Sequence, residues 1–132
     1  MKKIILLLLL LNLNNHVYSI EPDVFVQSTV NRASQILSEN ITRDEKMEKL
    51  KNIAKETVDI KGVGFYSLGS IRKTLNDNQK KQYLILFENY FLKSFSSRLS
   101  EYTNPEIDVT DKKVLNENYT IVNSILVATE NR

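Results

Sequence analysis

Tyr83, Phe87, Phe91, Phe95 and Leu99 recur at a strict spacing of four, with Leu84, Tyr90 and Tyr102 beside them. That period predicts a helix that carries nearly all its large rings along one flank. Away from that flank lie Lys80, Lys81, Glu88, Asn89, Lys93, Ser96, Ser97, Arg98 and Glu101. A polar face of that kind belongs to a surface helix of a folded domain rather than to a membrane span. Running from about Asp77 to Tyr102, the helix would be roughly 39 Å long at 1.5 Å per residue. The ring-bearing flank has to be covered, so the other elements are read as what packs against it.

Ahead of it the chain reads as helical. Glu21-Pro22-Asp23 is a helix entry with Asp23 available as N-cap, and Val26, Val30, Ala33, Ile36 and Leu37 form one apolar stripe to about Ser38. Thr42 followed by Glu45 predicts a capping box, after which Met47, Leu50, Ile53, Ala54 and Val58 supply the buried side of a second helix. Asp59 can cap a short third helix bearing Ile60, Val63 and Leu68, in which Gly62 and Gly64 each cost about 1 kcal/mol relative to alanine. Close approach of a backbone or ligand at Gly64 and simple tolerance of a loose segment both account for that glycine. Gly69 can end this helix, Ile71 and Leu75 continue the apolar line, and Asn76 with Gln79 caps the long helix.

Beyond Tyr102, Asn104-Pro105 is a break that a helix does not cross. Ile107 and Val109 alternate with Asp108 and Thr110 as a strand would, and Asp111-Lys112-Lys113 is a turn candidate. From Val114 onward, branched and aromatic residues dominate, with no glycine or proline. They predict a strand whose two faces, Tyr119/Ile121/Asn123/Ile125/Val127 and Thr120/Val122/Ser124/Leu126/Ala128, are both partly apolar. Such a strand belongs inside a sheet covered on at least one side. Two strands make a hairpin of marginal stability, so the sheet is expected to be incomplete, either through truncation or because a second chain completes it. The fold class is therefore α+β: a helical N-terminal part, with the long amphipathic helix packed on an incomplete antiparallel sheet.

Lys2 and Lys3 precede the apolar run Ile4 to Leu11, and Val17-Tyr18-Ser19 follows a polar stretch. This is the pattern of a cleavable signal peptide over residues 1–19, too short in its apolar run to span a bilayer. Of 132 residues, removal of those 19 leaves 113, expected to form a single domain over residues 20–132. Lys2 and Lys3 leave with the leader, so 16 of the 18 basic residues remain against 16 acidic ones, which argues against nucleic acid as a partner. Export without any cysteine fits a bacterial periplasm and a domain held by its core alone. The single histidine, His16, lies in the leader, so the remaining chain lacks the usual bases, nucleophiles and soft metal ligands. No enzyme activity, metal or cofactor is expected.

The ordered set Asp59, Leu68-Gly69, Asn76-x-x-Gln79 and Tyr83, Phe87, Phe91, Phe95, Leu99, Tyr102 resembles the MlaC family of periplasmic phospholipid-binding proteins, also called toluene-tolerance proteins. The likeness extends from Glu21 to about Thr129. Many members carry a tryptophan a few residues after Leu-Gly where this chain has Arg72, and they continue with further strands and C-terminal helices, so the chain is read as C-terminally truncated. The resemblance implies an apolar cavity that holds acyl tails. It also implies transfer of phospholipid between an outer-membrane lipoprotein complex and an inner-membrane ABC transporter complex, a system that maintains outer-membrane lipid asymmetry.

A lipid carrier needs apolar surface that stays accessible after folding rather than a nucleophile or base. The candidate lipid-binding residues are Val63, Leu68 and Leu75 from the short helices, Tyr83, Phe87, Tyr90, Phe91 and Phe95 from the long one, and Val122 and Leu126 from the strand. Plain core packing is the competing description of each. Two other readings of the whole chain stay open: an accessory chain whose exposed strand pairs with a partner, and a nonfunctional remnant of a split gene.

Overall fold

The computed structural model describes residues 19–128. The signal-peptide expectation lies almost wholly outside the described residues, among which no helix is long and apolar enough to cross a membrane. The order is α1 (Pro22–Ser38), α2 (Arg43–Thr57), α3 (Ile60–Ser67), a 3-10 turn (Gly69–Lys73), α4 (Asp77–Leu99), β1 (Glu106–Asn116) and β2 (Tyr119–Ala128). The class is α+β, with a sheet of two antiparallel strands among the described residues.

Local chemistry sets most of the boundaries. The Thr42 hydroxyl accepts from the Glu45 N–H while the Glu45 carboxylate accepts from the Thr42 N–H, and Asn76 and Gln79 form the same reciprocal pair at α4. Asp59 caps α3 by accepting from the Gly62 N–H at 3.0 Å. Gly69, at φ +56°, follows α3 in the left-handed conformation that glycine adopts without strain. The cap of α1 differs from the expected one. Glu21 is the N-cap, because Pro22 presets the first helical φ, and Asp23 is left in the first turn. The long helix also stops at Leu99, three residues before Tyr102, ahead of Asn104 at φ 46° and Pro105. Its 23 residues span roughly 35 Å.

The core is small. Ala54, Ile60 and Leu92 are buried together, with Val58, Phe87, Phe91 and Phe95 packed around them. Ser96, placed by its polarity on the solvated face, is fully buried. Each fourth residue advances about 40° around the axis, so the row of rings climbs across α4 and leaves Leu92 and Ser96 on the side where α2 packs. Small size lets the helices approach, and the Ser96 hydroxyl donates to the Lys93 carbonyl. The rings themselves form a continuous ladder: Tyr83–Phe87 at 5.8 Å, Phe87–Phe91 at 6.2 Å and Phe91–Phe95 at 5.7 Å between centroids.

α3 packs on the first half of that ladder. Gly64 is buried, and a Cβ there would lie 3.0 Å from Phe87 Cδ1 and 3.2 Å from Leu84 Cδ2. The close approach there is made by side chains of α4. Gly64→Val is therefore expected to lower stability by about 1–3 kcal/mol through overpacking, despite the gain in helix propensity. A urea unfolding midpoint equal to or above that of the unsubstituted protein would show that α3 shifts freely instead. Ile71, expected to continue the apolar line, is 60% exposed on the 3-10 turn.

The hairpin corrects two expectations. Its turn is Glu117-Asn118, where the Asn116 side chain accepts from the Asn118 N–H, and β1 runs straight through Asp111-Lys112-Lys113. The charged residues remain in the strand because Lys112 is paired: its ammonium donates to Asp23 at 2.7 Å and Glu21 at 2.9 Å. Those hydrogen bonds hold the Asp23 carboxyl below its ordinary 3.8 and raise Lys112 above its ordinary 10.5. Secondly, the sheet rests mainly on α1 rather than on the long helix. Gln27 acts there as a surrogate strand partner, donating to the Ile107 carbonyl at 3.1 Å and accepting from the Val109 N–H at 2.9 Å.

Candidate functional site

Because the hairpin is seated on α1, a space remains between it and the C-terminal end of α4. α1 contributes Thr29, Val30, Ala33, Ser34 and Leu37, and α2 with its C-cap contributes Leu50, Ile53, Thr57 and Val58. The other walls are formed by Phe95 and Leu99 of α4, by Tyr102 and the buried Pro105, and by Ile107 and Leu126 of the hairpin. The cleft has a volume of about 430 Å³, within the range of small-molecule sites.

Its existence follows from side-chain size. Along the stripe that faces the interior, α1 presents Thr29, Ala33 and Ser34 where larger residues would fill the gap, while Leu37, Leu50 and Ile53 close the floor at 2%, 0% and 4% exposure. None of the lining residues is charged. The Thr29 hydroxyl donates to the Phe25 carbonyl at 2.9 Å and that of Thr57 to the Ile53 carbonyl at 2.7 Å, so both polar atoms are satisfied within their own helices. The other polar side chains on the wall are the hydroxyls of Ser34 and Tyr102, so the groove is mainly apolar.

Of the residues singled out from the sequence, Phe95 and Leu126 line this cleft. Tyr83, Phe87 and Phe91 lie half-buried along the ladder beside α3, with the Tyr83 hydroxyl 2.8 Å from that of Ser67. Leu68, Leu75 and Val122 are half-buried away from the cleft wall, and Val63 and Tyr90 are 43% and 70% exposed. The structure thus brings two of the ten together and distributes the others over the ladder, the short helices and the strand. The α1 and α2 residues of the wall carry a sequence signal only in retrospect: a helical stripe whose central members, Ala33 and its neighbour Ser34, are too small to close a core.

The family model described as MlaC protein matches residues 27–132. The chain belongs to the MlaC family. That family comprises periplasmic lipid-binding carriers rather than enzymes, and the match takes in every wall of the cleft. No curated protein and no solved structure matches the chain. Within this MlaC-family fold the open end of the ring ladder and the cleft meet at Phe95, which stacks on Phe91 at 11° between planes and also faces the groove.

Proposed function

We propose that this protein is a periplasmic phospholipid shuttle of an Mla-type ABC transport system, holding its cargo by the acyl tail in the cleft between α1, α2, the end of α4 and the hairpin. The observation that carries this reading is the cleft's lining: about 430 Å³ of space with no charged residue on its wall, in a chain of a lipid-carrier family. Withdrawing hydrocarbon from water supplies about 0.8 kcal/mol per methylene, enough for tight binding without specific contacts. The headgroup stays at the mouth, where docking partners in the inner and outer membranes reach it. Maintenance of outer-membrane lipid asymmetry is the role such traffic serves.

Lipid extraction of the protein purified from a periplasm tests the reading. Co-purified phospholipid at about one molecule per chain is expected, and a folded, lipid-free protein that also takes up no added lipid sinks it. A second reading rests on a different observation. Among the described residues β2 pairs with β1 alone, so its other edge is left for a partner strand, which suits an accessory chain that completes its sheet with a partner.

A further inference from the structure

The two edges of the hairpin differ in how they are protected. On β1 the Gln27 amide of α1 occupies the Ile107 carbonyl and the Val109 N–H, while Glu106, Asp108, Asp111, Lys112 and Lys113 set charge along the strand. Charge and cover by a helix are what keep a strand edge from pairing with another chain. The outer edge of β2 is different. Its ten residues, Tyr119–Ala128, include no charged residue, proline or glycine, and among the described residues they pair with β1 alone.

The order of side chains along β2 selects the partner. The strand is nearly symmetric about Asn123: Ile121 and Ile125 stand two residues to either side of it, and Tyr119 and Val127 four. These five alternate along one face and are exposed, the four apolar ones by at least 45%. When two β2 strands pair antiparallel about Asn123, each Ile121 lies opposite Ile125 of the other copy, and each Tyr119 opposite its Val127. Branched pairs and aromatic–branched pairs of this kind stabilise a sheet, and no charge is brought against its own copy. A strand of unrelated sequence gains nothing from that symmetry.

We infer that the partner strand is that of a second copy of this chain, the two β2 strands joining antiparallel about Asn123 into one sheet of four strands. This rests on the second reading above, that a partner completes the sheet, and names that partner. It is independent of what the cleft holds.

The test uses the full chain. Sedimentation equilibrium of the purified protein is expected to show monomer and dimer exchanging, and a monomer at every concentration up to about 100 μM overturns the inference. Asn123→Lys sets two like charges against each other on the twofold axis and should weaken association about tenfold or more, as should Asn123→Asp, while an equal mixture of the two variants regains the dimer. Position 123 is exposed, so both variants should keep the wild-type circular dichroism. A dimer that Asn123→Lys leaves intact is held by another face and also overturns the inference. The chain has no cysteine, so Asn123→Cys supplies a single thiol, and residues facing each other across an antiparallel pair lie within disulfide reach. Mild oxidation should link the copies through position 123 and fail to link them through Asn116→Cys beside the hairpin turn; the reverse pattern overturns the register. A photoreactive residue at position 123 in cells separates the two failures. An adduct of twice the mass of one chain supports the inference. An adduct with a different protein, from a chain that is monomeric when purified, overturns the second copy and leaves the partner-strand reading in place, and no adduct at all overturns both.

Discussion

Ala33→Phe is expected to abolish most tail binding without unfolding the protein. Ala33 sits half-buried on α1 at the cleft wall, with open space in front of it. A phenyl ring there takes up the volume of about three to four methylenes of a bound chain; at about 0.8 kcal/mol each the loss is about 3 kcal/mol, on the order of 100-fold in affinity. Stability should move the other way or not at all. Overpacking penalties arise where a core is already filled, whereas a side chain that enters a gap gains contact and removes apolar wall from water. The check is a pair of measurements on one sample, a thermal unfolding midpoint and a fatty-acid displacement curve. Wild-type affinity in a folded Ala33→Phe protein would show that tails bind elsewhere, for example along the Tyr83 to Phe91 ladder, and would remove the cleft from the account.

Leu92→Ala is the converse. Leu92 is 6% exposed, lies in the cluster with Ala54 and Ile60, and does not line the cleft. Its truncation removes transfer free energy and leaves a cavity beneath Phe87, Phe91 and Phe95, with an expected cost of about 2–4 kcal/mol. For a core of this size that is a large share of total stability. The folded fraction should nevertheless bind tails with affinity within a few-fold of wild type, since the walls contributed by α1, α2 and the hairpin are untouched. Urea unfolding followed by circular dichroism reads the first effect, and displacement well below the unfolding midpoint reads the second. A destabilisation under about 1 kcal/mol would mean that the three-helix contact collapses around the gap and that the cluster is not the main core.

Together the two substitutions separate what holds the fold from what holds a ligand. The carrier hypothesis needs that separation, because a row of rings on a helix is ordinary core material. In this protein the row divides. Its Phe87 and Phe91 members pack against the cluster of α2 and α3 residues, and only its last ring, Phe95, reaches the groove. Of the exposed members of the wider set, Val63 at 43% and Tyr90 at 70% are in neither the core cluster nor the cleft wall, while Leu126 at 43% lines the cleft.

Local rules carried much of this protein. Three helix starts were legible because caps are written within four residues: Thr42 with Glu45, Asp59 with the Gly62 amide, and Asn76 with Gln79 each act through a side chain and a backbone group of the same turn. The period-four rings likewise announced α4 and its ladder, since neighbours on a helix are set by its own geometry. Where a residue's partner is distant in the chain, the reading from sequence went astray. Asp23 looked like a cap but is held by Lys112, and Asp111-Lys112-Lys113 looked like a turn but is strand because that same ion pair anchors it to α1. Ser96 looked solvated but is buried where α2 meets α4. The cleft belongs to this second kind of fact. Sequence alone determined the helices, the hairpin-forming strands and an apolar surplus. Only the tertiary arrangement decided that Gln27 would seat β1 on α1 and leave a gap opposite Phe95, because an empty volume is defined by the distance between walls that no local pattern encodes.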